Sequence, residues 1–297
     1  MKAYTSLFKQ YKDQPFLGIF SHFYPTKLPS GQLDFDGPFK SIANSTIDGC
    51  ESWEFLQPKF KAKYSYCAVP KLRNYLNYTF IRLNSLESAD PGRYFHYSSD
   101  QDWVCFNTGL QNSFGVDLIA TFQKYKITEK SGEGIKPDWV FKGCDASNDK
   151  QYRYHFGTFV PDIAWYSTDS RDFVFDVSYW LDKEAFDHLF DRAKERAGLP
   201  NASDEVVRNY LRGAIENLIP KIRRNYKIAI PVYFVEEHRM QLLLPFVSAS
   251  DSCDVSCFLV ERDDIHKSYH LKTIFDLDQA YFSARLITRP DKEWLNP

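Results

Sequence analysis

Arg223, Arg224 and Lys227 stand where a helical apolar pattern gives way to the β-branched and aromatic run Ile228-Ala229-Ile230-Pro231-Val232-Tyr233-Phe234. Fixed positive charge at a strand start is a rigid anchor for an anionic group, and guanidinium forks match phosphate oxygens. Further on, Tyr281, Arg285 and Arg289 recur at i, i+4 and i+8, so one helix face would project a ring and two guanidinium groups together. A ring stacks on a base without demanding its identity, so the combination suits a base and its phosphates. The competing explanation is that Arg223 and Arg224 complement the negative end of a helix, and that Arg285 is solvated.

Asp276 and Asp278 stand two apart at the end of a strand-like run. If the strand persists, both carboxylates face one way and can share a Mg²⁺ of the kind used in phosphoryl transfer. Equally, Asp278 suits the N-cap of a final helix, with Leu277 and Phe282 as its hydrophobic staple. Cys253-x₃-Cys257 and His266-x₃-His270 follow a zinc-ligand order, but the eight residues between them make a short spacer and Cys257 sits inside an apolar run, so no metal site is expected there. His96 and His266 each precede a short polar run, a weak hint of a paired-histidine phosphoesterase. No P-loop, His-Glu-x-x-His, Gly-x-Ser-x-Gly or dinucleotide glycine fingerprint is present.

The elements that must hold these residues follow from periodicity. Pro25, Pro29, Gly31, Gly37 and Pro38 interrupt residues 1–60, which read as an arm on a main domain spanning 61–297. Leu72, Tyr75, Leu76, Thr79, Phe80, Leu83 and Leu86 share a helical face over Lys71–Leu86, with Arg82 at its edge and Asn77 and Asn84 opposite. Strands are expected at 103–106 and 116–125 around a turn at Asn107-Thr108-Gly109-Leu110, and again at 139–141 and 173–175. Two helices follow, one from Asp182 to Gly198 and one capped by Ser203 that Pro220 should kink or end. Four strands, 228–235, 240–247, 255–260 and 269–275, then form a meander closed by a helix from Asp278 to about Thr288. Short turns between consecutive strands imply an α+β fold whose sheet is mostly antiparallel, with helices packed on it. No internal repeat is legible.

The chain has 297 residues, 43% hydrophobic and 17% aromatic, enough for a sizeable core. A formal net charge of −2 supplies no global field toward nucleic acid or membrane, so any polyanion contact must be a local patch. No apolar stretch approaches a membrane span, and Met1-Lys2-Ala3-Tyr4 leads into no apolar segment; a cytoplasmic protein is the expectation. Six scattered cysteines then read as reduced thiols without disulfides.

Five ordered blocks resemble the domain of unknown function 3825 family. They are Asn74-Tyr75-Leu76-Asn77-Tyr78-Thr79-Phe80-Ile81-Arg82-Leu83; Phe106-Asn107-Thr108-Gly109-Leu110; Arg224-Asn225-Tyr226-Lys227-Ile228-Ala229-Ile230-Pro231; Gln241-Leu242-Leu243-Leu244-Pro245; and Leu277-Asp278-Gln279-Ala280-Tyr281 continuing through Ala284-Arg285 to Leu295. The match covers about residues 50–297, and departs from the last block at Gln279 and Ser283. Members of that family often stand beside RNA-binding modules, which implies an RNA-related role. Carried over by position, the polar block residues are Arg82, Asn107, Thr108, Asn225, Lys227, Gln241, Asp278, Tyr281, Arg285 and Arg289.

Three functional expectations follow. In the first, the protein is an enzyme acting on RNA or a nucleotide. Arg82, Lys227, Arg285 and Arg289 clamp phosphates, Asn107, Asn225 and Gln241 orient base or sugar, and Thr108 and Tyr281 stand among the ligand-binding residues. Asp278, alone or with Mg²⁺, and Lys227 stand at the reacting group. In the second, the same residues bind RNA or a nucleotide without chemistry. In the third, the blocks are folding determinants of an interaction protein of a toxin–antitoxin or defence system, since Asn and Thr favour turns and Asp278 a cap.

Overall fold

Rings build the interior of the first half of the chain. The computed structural model describes residues 4–10, 14–15, 17–46, 53–54, 67–125, 137–181, 190–249 and 255–287. The chain divides into two units, Met1–Trp165 and Tyr166–Pro297. Its architecture is α+β, and no helix among the described residues is long and apolar enough to cross a membrane.

In the first unit β1 (Ser21–His22), β2 (Thr26–Lys27), β3 (Leu33–Asp34) and α1 (Gly37–Ser45) precede α2 (Pro70–Ala89). The strands β4 (Phe95–Tyr97), β5 (Trp103–Gln111), β6 (Asp117–Lys124) and β7 (Trp139–Ala146) then form an antiparallel meander, and α3 (Lys150–Phe156) follows. β1 joins the far edge parallel to β7, giving the order β1-β7-β6-β5-β4. The apolar stripe of α2 buries Leu72, Tyr75, Leu76, Phe80 and Leu83. Phe80 meets Phe20, Phe95 and Phe106 with ring centroids 4.9 to 5.8 Å apart, in the tilted and edge-on arrangements aromatic quadrupoles favour. Because side chains alternate along a strand, Cys105 and Ile119 point to the opposite face, where Tyr152 and Phe156 of α3 cover them. The supposedly polar side of α2 is covered too. Asn77 is buried and its Oδ1 accepts hydrogen bonds from Ser6 Oγ and Leu7 N, at 2.8 and 2.9 Å.

In the second unit β8 (Trp180–Leu181), α4 (Phe190–Arg196) and α5 (Asp204–Arg224) lead into β9 (Ile230–Phe234), β10 (Arg239–Val247), β11 (Val255–Asp263) and β12 (Ser268–Asp276), followed by α6 (Leu277–Ala284). The meander is antiparallel, and β8 lies parallel to β12 in the order β8-β12-β11-β10-β9. Val207, Leu211, Ile215, Leu218 and Ile222 of α5 pack on Leu242, Leu244, Phe246, Phe258 and Val260. Burial of side chains of this size stabilises by about 1.5–3 kcal/mol each. Ala280 and Ala284 of α6 close the other face over Ile230, Val232, Leu243 and Leu259.

The two units share one topology, which the sequence does not announce. Each has a short strand paired in parallel with the last strand of a four-stranded meander, a long helix on one face, and a short helix after the meander on the other. The long helices have 20 and 21 residues, and both carry Arg-Asn-Tyr-Leu, at Arg73–Leu76 and Arg208–Leu211. That tetrad begins 22 positions before the first meander strand in each unit, Arg73 before Phe95 and Arg208 before Ile230. Its tyrosine plays one role twice: Tyr75 Oη donates to the carbonyl of Thr108 on β5, and Tyr210 Oη to that of Val247 on β10.

Several local expectations change. Asn107-Thr108-Gly109-Leu110 is no turn but part of β5, with an irregular register to β6 between Asn107 and Gln111; the connection to β6 lies beyond it, where Gly115 N donates to Asn112 O. Gly109 is required there. Its φ is +73°, and a Cβ would stand 2.8 Å from Tyr75 Oη. The run at 173–175 ends a 3₁₀ turn, Ser170–Phe173, and Phe175 stacks on Tyr269 at 4.2 Å instead of entering a sheet. Pro220 neither ends α5 nor prevents one more turn, to Arg224. The start of the helix expected from Asp182 lies outside the described residues.

Candidate functional site

Ser203 caps α5, its side chain accepting from Val206 N, and Asp204 and Glu205 occupy the first turn, all favourable to the positive end of the helix. Lys221, Arg223 and Arg224 occupy the last turn. Asn225 ends the helix with extended backbone, and its Oδ1 accepts from Lys227 N at 3.1 Å, folding Tyr226–Ile228 into a single 3₁₀ turn. Lys221, Arg223, Arg224, Asn225, Tyr226 and Lys227 are all exposed, with Tyr226 keeping 63% of its surface. Arg224 Nη1 donates to the Pro220 carbonyl at 3.3 Å. None of the four cations has a carboxylate partner among the described residues.

The molecule contains its own control for this feature. The equivalent helix α2 ends with no basic residue in its last turn. There the buried Glu87 carboxylate instead accepts from the backbone N–H groups of Gly92, Tyr94 and Phe95. The topology therefore forms without cations in the last turn of this helix; the junction after α2 holds Arg93, paired with Asp90 and Asp162, whereas the cations at the end of α5 have no carboxylate partner among the described residues.

The second group of expected residues surrounds α6. Asp276, not Asp278, is its N-cap: the Asp276 side chain accepts from Gln279 N at 3.0 Å. The strand ends at Asp276, so the two carboxylates do not keep the same-side geometry of strand positions i and i+2. Asp278 lies inside the first turn with no exposed surface. Tyr281 lies on the same helix and Arg285 caps its C-terminus, both half-buried, with Arg285 N donating to Tyr281 O at 2.9 Å, whereas Arg289 lies outside the described residues. Gln241 is buried on β10; its Nε2 donates to Glu237 at 3.3 Å while its Oε1 has no hydrogen-bond partner among the described residues. Arg239 and Lys272 nearby are each engaged by Glu237 and Glu261.

The remaining three belong to the first unit, where their polar atoms fasten the chain. Arg82 Nε donates to the Trp165 carbonyl at 2.7 Å, and its guanidinium lies 5.2 Å from that indole. Asn107 Nδ2 donates to Asp117 at 3.1 Å and to the Pro161 carbonyl at 3.2 Å, while its Oδ1 accepts from Gly109 N. Thr108 Oγ1 donates to the Leu118 carbonyl and accepts from Leu110 N, at 2.7 and 3.1 Å. Arg82, Asn107 and Thr108 thus stand in one unit and Asn225, Lys227, Gln241, Asp278, Tyr281 and Arg285 in the other.

The zinc-like order separates into ordinary contacts. His266 and His270 both face the carboxylate of Asp263, at 2.7 and 3.2 Å, and hydrogen bonding from His266 holds that carboxyl well below its usual range. Cys257 lies in the core under α6, and Cys253 lies outside the described residues. Cys67, Cys105, Cys144 and Cys257 are free thiols. Among the described residues no group of three or more His, Cys, Asp or Glu side chains is arranged to hold a metal ion. Reading the sequence missed Lys221, one turn before Arg224, and the exposure of Tyr226; an aromatic residue flanked by cations was the available signal for the latter.

A family model described as a domain of unknown function (DUF3825) matches residues 46–294. No curated protein and no solved structure matches the chain significantly.

Proposed function

Since the chain belongs to the family of the domain of unknown function DUF3825, a name that carries no reaction, we propose its function from its own side chains: it binds RNA or a nucleotide through the cationic end of α5. The observation that carries this reading is the set of exposed cations Lys221, Arg223, Arg224 and Lys227, without carboxylate partners among the described residues, close in sequence to the exposed Tyr226, at a helix end whose counterpart in the first unit has no basic residue in its last turn. Arginine and lysine there meet phosphate oxygens, and Tyr226 offers a face for a base. Lys227 in this reading is a phosphate contact. The arrangement favours binding over catalysis because Asp278, the carboxylate that chemistry would need, has no exposed surface from which to reach a phosphate.

The test is fluorescence anisotropy with a labelled oligoribonucleotide across a salt series. The combined variant Lys221→Gln, Arg223→Gln, Arg224→Gln, Lys227→Gln is expected to bind more weakly, with the slope of log K against log salt reduced by about 0.7 for each phosphate that the variant no longer neutralises. Equal affinity and slope for parent and variant would end the proposal.

A further inference from the structure

β8 is an edge strand of two residues whose side chains have opposite fates: Leu181 is buried, while Trp180 keeps 55% of its surface exposed. The strand is fixed. Trp180 N donates to the Lys267 carbonyl at 3.2 Å and the residue pairs with Ser268 of β12. Its neighbour Tyr179 is pinned as well, its Oη donating to Asp264 at 2.8 Å and its ring lying 5.2 Å from the Arg262 guanidinium. Across from these rings stand Glu216, Ile219, Pro220 and Arg223 of α5, and between the two walls runs a groove of about 640 Å³. That volume falls within the roughly 300–1,000 Å³ typical of small-molecule sites. Arg223 belongs both to this groove and to the cationic helix end.

We infer that this groove receives an unpaired base of a single-stranded RNA, stacked on Trp180, while Arg223 and the cations that follow it hold the adjoining phosphates. The inference rests on the phosphate-binding reading of the helix end and extends it. Charge complementarity selects the occupant: the groove carries one carboxylate, Glu216, and at the end nearer the other cations Arg223, which has no carboxylate partner among the described residues, so it suits a ligand that places a flat apolar face on the rings and its negative charge toward Arg223. Arg223, Arg224 and Lys227, close together along the chain, call for more than one phosphate, hence a strand. A ring that must lie flat on Trp180 has to be unstacked from its neighbours, hence not a duplex.

The experiment uses the full chain and a labelled single-stranded oligoribonucleotide, with the salt series repeated for Trp180→Ala, Trp180→Phe and Arg223→Gln. Loss of a stacking platform is worth about 1–3 kcal/mol per base, so Trp180→Ala should weaken binding on the order of tenfold. Its salt slope should stay unchanged, because every phosphate keeps its cation. Trp180→Phe should recover most of the affinity, which separates stacking from any effect on folding. Arg223→Gln should flatten the slope by about 0.7. Parent-like binding by Trp180→Ala overturns the groove assignment, and if the four-cation variant still binds weakly the broader proposal survives. Equal competition by a mononucleotide or by duplex RNA overturns the single-strand assignment. If neither the cation variant nor Trp180→Ala differs from the parent, both readings fall together.

Discussion

At the scale of single residues, burial decides which reactive groups are available. Cys105 and Cys257 have no exposed surface, and burial pushes both thiols up to about 12, with the charge of Asp276 adding to the effect at Cys257. A thiol raised in this way stays protonated in the fold while the unfolded chain ionises from about pH 8.5. Its contribution to stability is therefore complete below that pH and is lost as the pH climbs toward 12. Alkylation at pH 8 should leave Cys105 and Cys257 unmodified in the native protein and modify both in urea, as read by mass spectrometry. Native labelling of either at the rate of a free thiol would contradict the packing described. The same reasoning separates Asp278 from Lys227. Both belong to family blocks, but only Lys227 meets solvent.

At the scale of elements, the long helices are tied to their sheets by one tyrosine each. Tyr75 Oη donates 2.8 Å to the Thr108 carbonyl, at the point where the β5–β6 register is irregular and the ladder cannot serve it. Tyr75→Phe leaves that buried acceptor short of a donor, at an expected cost of about 1–3 kcal/mol in urea unfolding. A cost near zero would mean that water replaces the hydroxyl. The helix ends differ for an equally local reason. Where α2 gives way to β4, Glu87 gathers three backbone N–H groups and the connection is structural, whereas the turn after α5 needs only the Asn225 side chain. Of its cations Arg224 donates to the Pro220 carbonyl, while Lys221, Arg223 and Lys227 have no carboxylate partner among the described residues.

For the whole molecule, the formal net charge of −2 means that attraction for a polyanion has to be local, within the roughly 8 Å over which charge is felt at physiological salt. Replacing exposed Lys124, Lys142, Lys150 and Arg153 of the first unit by glutamine removes as much positive charge as the four-residue change at the end of α5. Only the latter is expected to weaken RNA binding in the anisotropy assay. Equal loss from both sets would assign the effect to total charge and remove the case for a site.

The sequence by itself determined the periodic elements: the apolar stripe of α2, the capped start of α5, the meander from β9 to β12, and the cations at the end of α5. Each depends on spacing along one stretch of chain. What only the tertiary structure decided is which of those residues meet solvent and which serve as internal fasteners. Asn107 and Thr108 look like turn residues until Asp117, Pro161 and Leu118 are seen to take their hydrogen bonds. Asp278 looks like a cap until Asp276 takes that place. Trp180 has no distinguishing spacing, and its exposure exists only because β8 lies at the rim of its sheet. The shared topology of the two units escaped the sequence for the same reason: a fold is specified by apolar period and volume, which many side chains satisfy, so two copies of one architecture need share little more than Arg-Asn-Tyr-Leu.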